Sequence, residues 1–161
     1  MSMDITILAV GKIKESFYRE ALSEYQKRLS RYCRLEIIEV ADEPAPEKAS
    51  PAQEDAIREK EAGRILKRLR DGSFVITLEI AGKKYDSEKF AKKLENLGLS
   101  GKSQLVFIIG GSLGLHSSVS ERADLKLSFS DMTFPHQLMR VILAEQIYRA
   151  FRIINGQPYH K

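Results

Sequence analysis

The chain has 161 residues and a mass of 18.3 kDa, 43% hydrophobic and 30% charged, the size and mix of one globular domain. A chain of this length buries about two-thirds of the surface its unfolded form exposes, so it needs no disulfide or metal staple to hold a core. Its 26 basic and 22 acidic residues leave a net charge of +4, which permits an RNA or phosphate partner without demanding one.

Cys33 is the sole cysteine, which excludes intramolecular disulfides and multi-cysteine metal sites and points to a reducing compartment. Among Arg31, Tyr32 and Arg34 it reads as a passive thiol rather than a nucleophile. The Met-Ser-Met-Asp start lacks a basic region and no apolar run reaches 18 residues, so neither a signal peptide nor a membrane span is expected, and the protein is expected to be cytoplasmic. If so small and mildly basic a chain acts on RNA, something else must add surface.

Asp4 to Val10, closed by Gly11, predicts a buried strand. From Lys14 to about Tyr32, Phe17, Tyr18, Ala21, Leu22, Tyr25 and Leu29 recur at helical spacing, and Lys27, Arg28, Arg31 and Arg34 gather at the end, where cations complement the helix dipole. That basic cluster reads first as a solvated helix end and second as an RNA-contacting patch. Leu35 to Val40 predicts a second strand, and 41–51, with three of the five prolines, a surface loop. Gln53 to Arg70 predicts a helix with Ile57, Ile65, Leu66 and Leu69 as apolar positions, stopped at Asp71-Gly72. Ser73 to Ile80 predicts a third strand, 81–84 a turn, and Ser87 to Leu97 a helix capped by Ser87, with Phe90, Leu94 and Leu97 facing inward.

Gln104 to Ile109 is nearly continuous in apolar residues, which suits a parallel strand covered on both faces. After it come the glycine turn 110–114, a short helix whose Ser118 and Glu121 have capping-box spacing, a short strand from Leu125 to Phe129, and a last helix from Pro135 to about Ile154. No segment repeats. The alternation predicts an α/β fold, one domain over 1–161, with a mostly parallel sheet flanked by helices.

Three places could carry chemistry. Gly110, Gly111 and Gly114 between a strand and a helix let backbone approach a nucleotide-like ligand, although a tight turn needing positive φ explains them as well. The first glycine of a dinucleotide fingerprint is missing, and Asp131 stands only by spacing where a ribose-binding acid is expected. The last helix is the second place: twelve of the eighteen residues 137–154 are apolar, more than one sheet can cover, which points to a self-association face and a twofold dimer. Glu145 and Arg149 stand at i,i+4 on it, and arginines bordering such a face would lie beside the partner's ligand site. The third is the tail, where Tyr159 can stack or hydrogen-bond and His160 can move a proton near neutral pH.

Ile108 to Leu115, Leu127 to Phe151 and the Pro158-Tyr159-His160 ending, together with Ile7 to Lys12 and Thr77 to Gly82, resemble the RlmH-type SPOUT methyltransferases over essentially the full chain. That resemblance implies a C-terminal trefoil knot, with a knotted cofactor-binding part at about 104–161. It also implies a homodimer that uses S-adenosylmethionine to methylate N3 of a pseudouridine in large-subunit (23S) rRNA on assembled ribosomes. It assigns cofactor binding to Leu78, Gly110, Phe129, Ser130, Asp131, Met132, Thr133 and Phe134. For the chemistry it offers His160 as proton acceptor or base-orienting group, and Arg140, Arg149 and Arg152 to hold phosphates or developing imide charge, with no metal. Ser112-Leu113 stands where some family members have Pro-Glu, a departure that bears on the turn and not on its glycines. Two rivals stay open: a ribosome-binding protein without turnover, and a nicotinamide-dependent oxidoreductase built on the glycine turn and Asp131.

Overall fold

Apolar runs long enough to be covered on two sides become the centre of a sheet, and two runs of this chain do so. The computed structural model describes residues 2–159. In chain order the elements are β1 (Asp4–Val10), α1 (Ser16–Leu29), β2 (Arg34–Val40), α2 (Pro51–Leu66), β3 (Phe74–Lys84), α3 (Ser87–Leu99), β4 (Gln104–Ile109), α4 (Ser117–Arg122), β5 (Leu125–Ser128) and α5 (His136–Ile154). The strands form one sheet in the order β2-β1-β4-β3-β5, each neighbouring pair parallel.

The two-residue period of a strand divides the core into halves. Ile5, Ile7 and Ala9 of β1, with Leu105 and Phe107 of β4, face a layer built from Leu22 and Leu29 of α1, Phe90 and Leu94 of α3, and Leu143, Ile147 and Phe151 of α5. Leu8 and Val10, with Val106 and Ile108, face the thinner layer of Ala62 and Ile65 from α2 and Val119 from α4. Each fully buried aliphatic side chain here stabilises the fold by about 1.5–3 kcal/mol.

The helix starts follow local hydrogen bonding. Ser50 and Gln53 form a reciprocal capping box with Pro51 in the first turn, so α2 begins two residues before the expected Gln53 and ends at Leu66. Asp86, not Ser87, caps α3 by accepting from the Lys89 amide at 2.7 Å. His116 Nδ1 accepts from the Ser118 amide at 3.2 Å and caps α4, replacing the expected pairing of Ser118 with Glu121.

The largest departure from the expected elements is in β3. Residues 81–84 are not a terminating turn: the strand runs on to Lys84. Leu78 and Lys83 both stand opposite Leu127 of β5, so the intervening residues bulge out of the ladder. A Cβ on Gly82 would come within 2.8 Å of the Lys126 carbonyl, which is why the bulge carries glycine at its closest approach to β5.

Candidate functional site

The bulge aims β3 residues into a cavity of about 670 Å3 between mid-β3 and the carboxyl ends of β4 and β5, closed on one side by the first turn of α5. Parallel α/β sheets hold ligands at this edge, and the volume is that of a small-molecule site. Leu78, Ile80, Leu115, Phe129, Phe134 and Met139 make its walls apolar, while the turn 109–114 contributes backbone. Flat apolar walls with backbone polar groups at strand ends suit a purine-like ring and a ribose.

The glycines of the turn serve different purposes. Gly114 has φ +83°, a conformation other residues rarely adopt, and Gly111 pairs with it in an isolated antiparallel bridge. Gly110 has no room for a side chain: a Cβ would lie 2.9 Å from the Gly114 carbonyl carbon. The turn is therefore closed by backbone packing on itself and offers its backbone to the cavity.

The 129–134 loop is fixed by two short contacts, Ser128 Oγ donating to the Ser130 carbonyl at 3.1 Å and the Met132 amide donating to Ser130 Oγ at 3.0 Å. Of the cofactor residues expected from sequence, Leu78, Gly110, Phe129, Ser130, Met132, Thr133 and Phe134 line the cavity. Asp131 does not; its exposed side chain pairs with Lys84 at 2.5 Å. That placement removes the ribose-binding acid on which the oxidoreductase reading depended.

Two ionisable lining residues, Glu79 and His136, were not among the expected site residues. Glu79 accepts from Thr77 Oγ1 at 2.6 Å and from Ser120 Oγ at 2.9 and 3.0 Å. His136 begins α5 beside the cavity, and its burial, helped by the nearby Arg140 cation, pushes its pKa below the usual imidazole value. A lone carboxylate next to the expected Leu78 was the available signal for Glu79. For His136 there was only its place before the last helix.

The expected catalytic arginines separate. Arg140 is fully buried and structural: it holds Glu39 at 2.6 Å and donates to the Val10 and Gly11 carbonyls at 3.0 and 2.8 Å, tying α5 to the end of β1. A phosphate cannot reach it. Arg149 contacts Glu145 at 3.3 Å and lies 4.5 Å from the Tyr159 ring centre. Arg152 donates to Tyr32 Oη at 3.2 Å and to the Pro158 carbonyl at 3.0 Å, pinning the tail. Tyr159 donates to Glu145, and burial together with that bond pushes its hydroxyl up to about 12, so it stays protonated at neutral pH. His160 lies outside the described residues.

Burial and the Asp4 charge push the Cys33 thiol up to about 12, so at neutral pH it is a protonated, unreactive thiol as expected. Among the described residues, no helix is long and apolar enough to cross a membrane.

A family model described as "Predicted SPOUT methyltransferase" matches residues 3–160. A protein of Methanococcus maripaludis is 65% identical over 159 residues, covering 99% of this chain and all of that one. Proteins named "Ribosomal RNA large subunit methyltransferase H" from Clostridium kluyveri and Acetivibrio thermocellus are 59% and 55% identical, again over 99% of this chain and all of theirs. Among solved structures, a "probable methylase family protein" from Haemophilus influenzae superimposes with a TM-score of 0.56 at 15% identity, over 98% of this chain and 70% of that one, a likeness of fold.

Proposed function

This chain belongs to the SPOUT methyltransferase family, and from that premise we propose that it methylates large-subunit rRNA with S-adenosylmethionine as donor, at N3 of a pseudouridine. In this reading it works in the cytoplasm, as a homodimer on assembled ribosomes. The observation that carries the proposal is the cavity between the β3 bulge and the ends of β4 and β5, where seven of the eight residues expected to hold the cofactor converge. Full-length relatives named as rRNA large-subunit methyltransferases supply the substrate class.

The residues present fit the cofactor. Phe129, Phe134, Leu78 and Met139 would cover the faces of its adenine, and the backbone of the 109–114 turn and of the 129–134 loop would meet its polar edges. When bound, S-adenosylmethionine supplies an electrophilic methyl group on a positively charged sulfur. The protein's task is then to hold the acceptor nitrogen in line and to take its proton. Tyr159, held protonated, is no base at neutral pH. The family resemblance gives the acceptor role to His160, next in sequence, and Arg149 and Arg152 on the later turns of α5 would steady phosphate or imide charge.

A geometric difficulty supports the dimer. Met139 borders the cavity at the start of α5, while Arg149 and Arg152 stand ten and thirteen residues further on, about 15 and 20 Å along the axis. One chain holds its cofactor cavity at the start of α5, whereas Arg149 and Arg152 stand on its later turns and the tail folds back only as far as Glu145. A second copy with α5 antiparallel would bring each tail to the other's cavity. Leu138, Val141, Ile142 and Tyr148, only half-buried, form the apolar surface for such pairing. The trefoil knot expected in about 104–161 belongs to the same reading.

A radiolabelled-methyl assay on ribosomes lacking the mark, with free rRNA in parallel, tests the proposal. Incorporation at pseudouridine N3 in ribosomes, and little in free rRNA, is expected. No incorporation into either substrate overturns it.

A further inference from the structure

The cavity is electrically lopsided. Among its described lining residues Glu79 alone carries a formal charge at neutral pH, because burial and the neighbouring Arg140 keep His136 neutral. The other polar atoms around it are hydroxyls and backbone. Lys84 at the end of β3 and Asp131 in the loop after β5 are engaged with one another. Glu79 is half-buried, and among the described residues no cation forms an ion pair with it.

The carboxylate is also held in place. It sits on the β3 bulge, displaced from the regular ladder, and receives hydroxyl bonds from Thr77 on its own strand and Ser120 on α4. Thr77 is fully buried, so one of the two donors cannot swing away into solvent. A solvated surface glutamate has no such support.

We propose that Glu79 is the specificity-determining residue of the cofactor cavity, reading the positive charge that distinguishes a sulfonium donor from its neutral thioether product. The inference rests on the S-adenosylmethionine reading and deepens it. The donor and S-adenosylhomocysteine share the adenine, ribose, ammonium and carboxylate groups and differ by one methyl and one positive charge. A negative group close to the sulfur favours the donor, and its contribution falls away once the methyl has left. The same group thereby assists exchange of spent product for fresh donor.

Calorimetric titration of both ligands against the wild-type protein, E79Q and E79D provides the test, with circular dichroism confirming the fold of each variant. E79Q keeps the size and the capacity to accept from Ser120 but removes the charge. It is expected to weaken S-adenosylmethionine binding tenfold or more, about 1.4 kcal/mol, while S-adenosylhomocysteine changes less than about threefold. E79D, which keeps the charge, is expected to retain most of the wild-type ratio between the ligands. Equal losses for both ligands in E79Q place Glu79 against a shared group and overturn the inference, as does an unchanged ratio. If the wild-type protein binds neither ligand, the cofactor reading falls with it, whereas normal wild-type binding with an unaltered E79Q ratio sinks this inference alone.

Discussion

Arg140 shows how an arginine's neighbours decide its work. As a type of side chain it suits phosphate, yet its position puts it on the stripe of Leu143, Ala144, Ile147 and Phe151, the buried face of α5. That stripe was legible in the sequence; what was not legible was the partner, Glu39, a hundred and one residues away, with the two strand-end carbonyls. Removing one member of a buried ion pair leaves the other uncompensated, and here two backbone carbonyls lose their donor as well. R140M is expected to lower unfolding stability by about 3 kcal/mol, the lower end of the range because Glu39 is partly exposed. Chemical denaturation checks this. A variant of wild-type stability with reduced turnover would return Arg140 to a substrate-holding role. Glu79 was less accessible to sequence reasoning, since its approach to the cavity depends on a break in strand register that no local pattern announces.

At the scale of elements, apolar patterning located all five strands and all five helices, because each buries a face against one sheet. Their ends were less legible. A cap is chosen by which neighbouring side chain reaches an amide, so Asp86 and His116 displaced Ser87 and Ser118 by one or two positions. In β3 the glycine at 82 announced an interruption, and only the tertiary partner β5 decides that the strand resumes. Gly82 and Gly63 therefore respond oppositely to the same change. G82A forces a Cβ to within 2.8 Å of the Lys126 backbone, which cannot swing aside, and is expected to cost about 1–3 kcal/mol and weaken S-adenosylmethionine binding by shifting Leu78 and Glu79. Gly63, inside α2 with open space around its Cβ position, gains helix propensity, and G63A should stabilise by about 0.5–1 kcal/mol without touching ligand affinity. Thermal melting with cofactor titration separates the two. Equal effects from both would mean that the close passage of β5 against the bulge does not constrain the site.

At the scale of the molecule, the separation along α5 between the cavity and the arginines that hold the tail converts an oligomeric question into a kinetic one. If each working site combines the cavity of one copy with Arg149, Arg152 and His160 of the other, a lesion in either half disables a site wherever the lesion sits, and the two lesions can complement. F134A strips a cavity wall, and R152A removes a guanidinium from the tail. Each homodimer should be nearly inactive in methyl transfer to ribosomes. Refolded together in equal amounts, half of the dimers pair one lesion of each kind, and each such dimer contains one intact cavity facing one intact tail, so activity should recover to about a quarter of wild type. Circular dichroism and cofactor titration of R152A guard against a misfolded tail variant, because Arg152 also anchors Tyr32 and Pro158. A site completed within a single chain gives no recovery at any mixing ratio, and that outcome would leave the half-buried apolar stripe on α5 without a catalytic purpose. Recovery would instead make doubling of the chain part of the chemistry, raising the net charge of the particle that meets rRNA from +4 to +8 while completing each site.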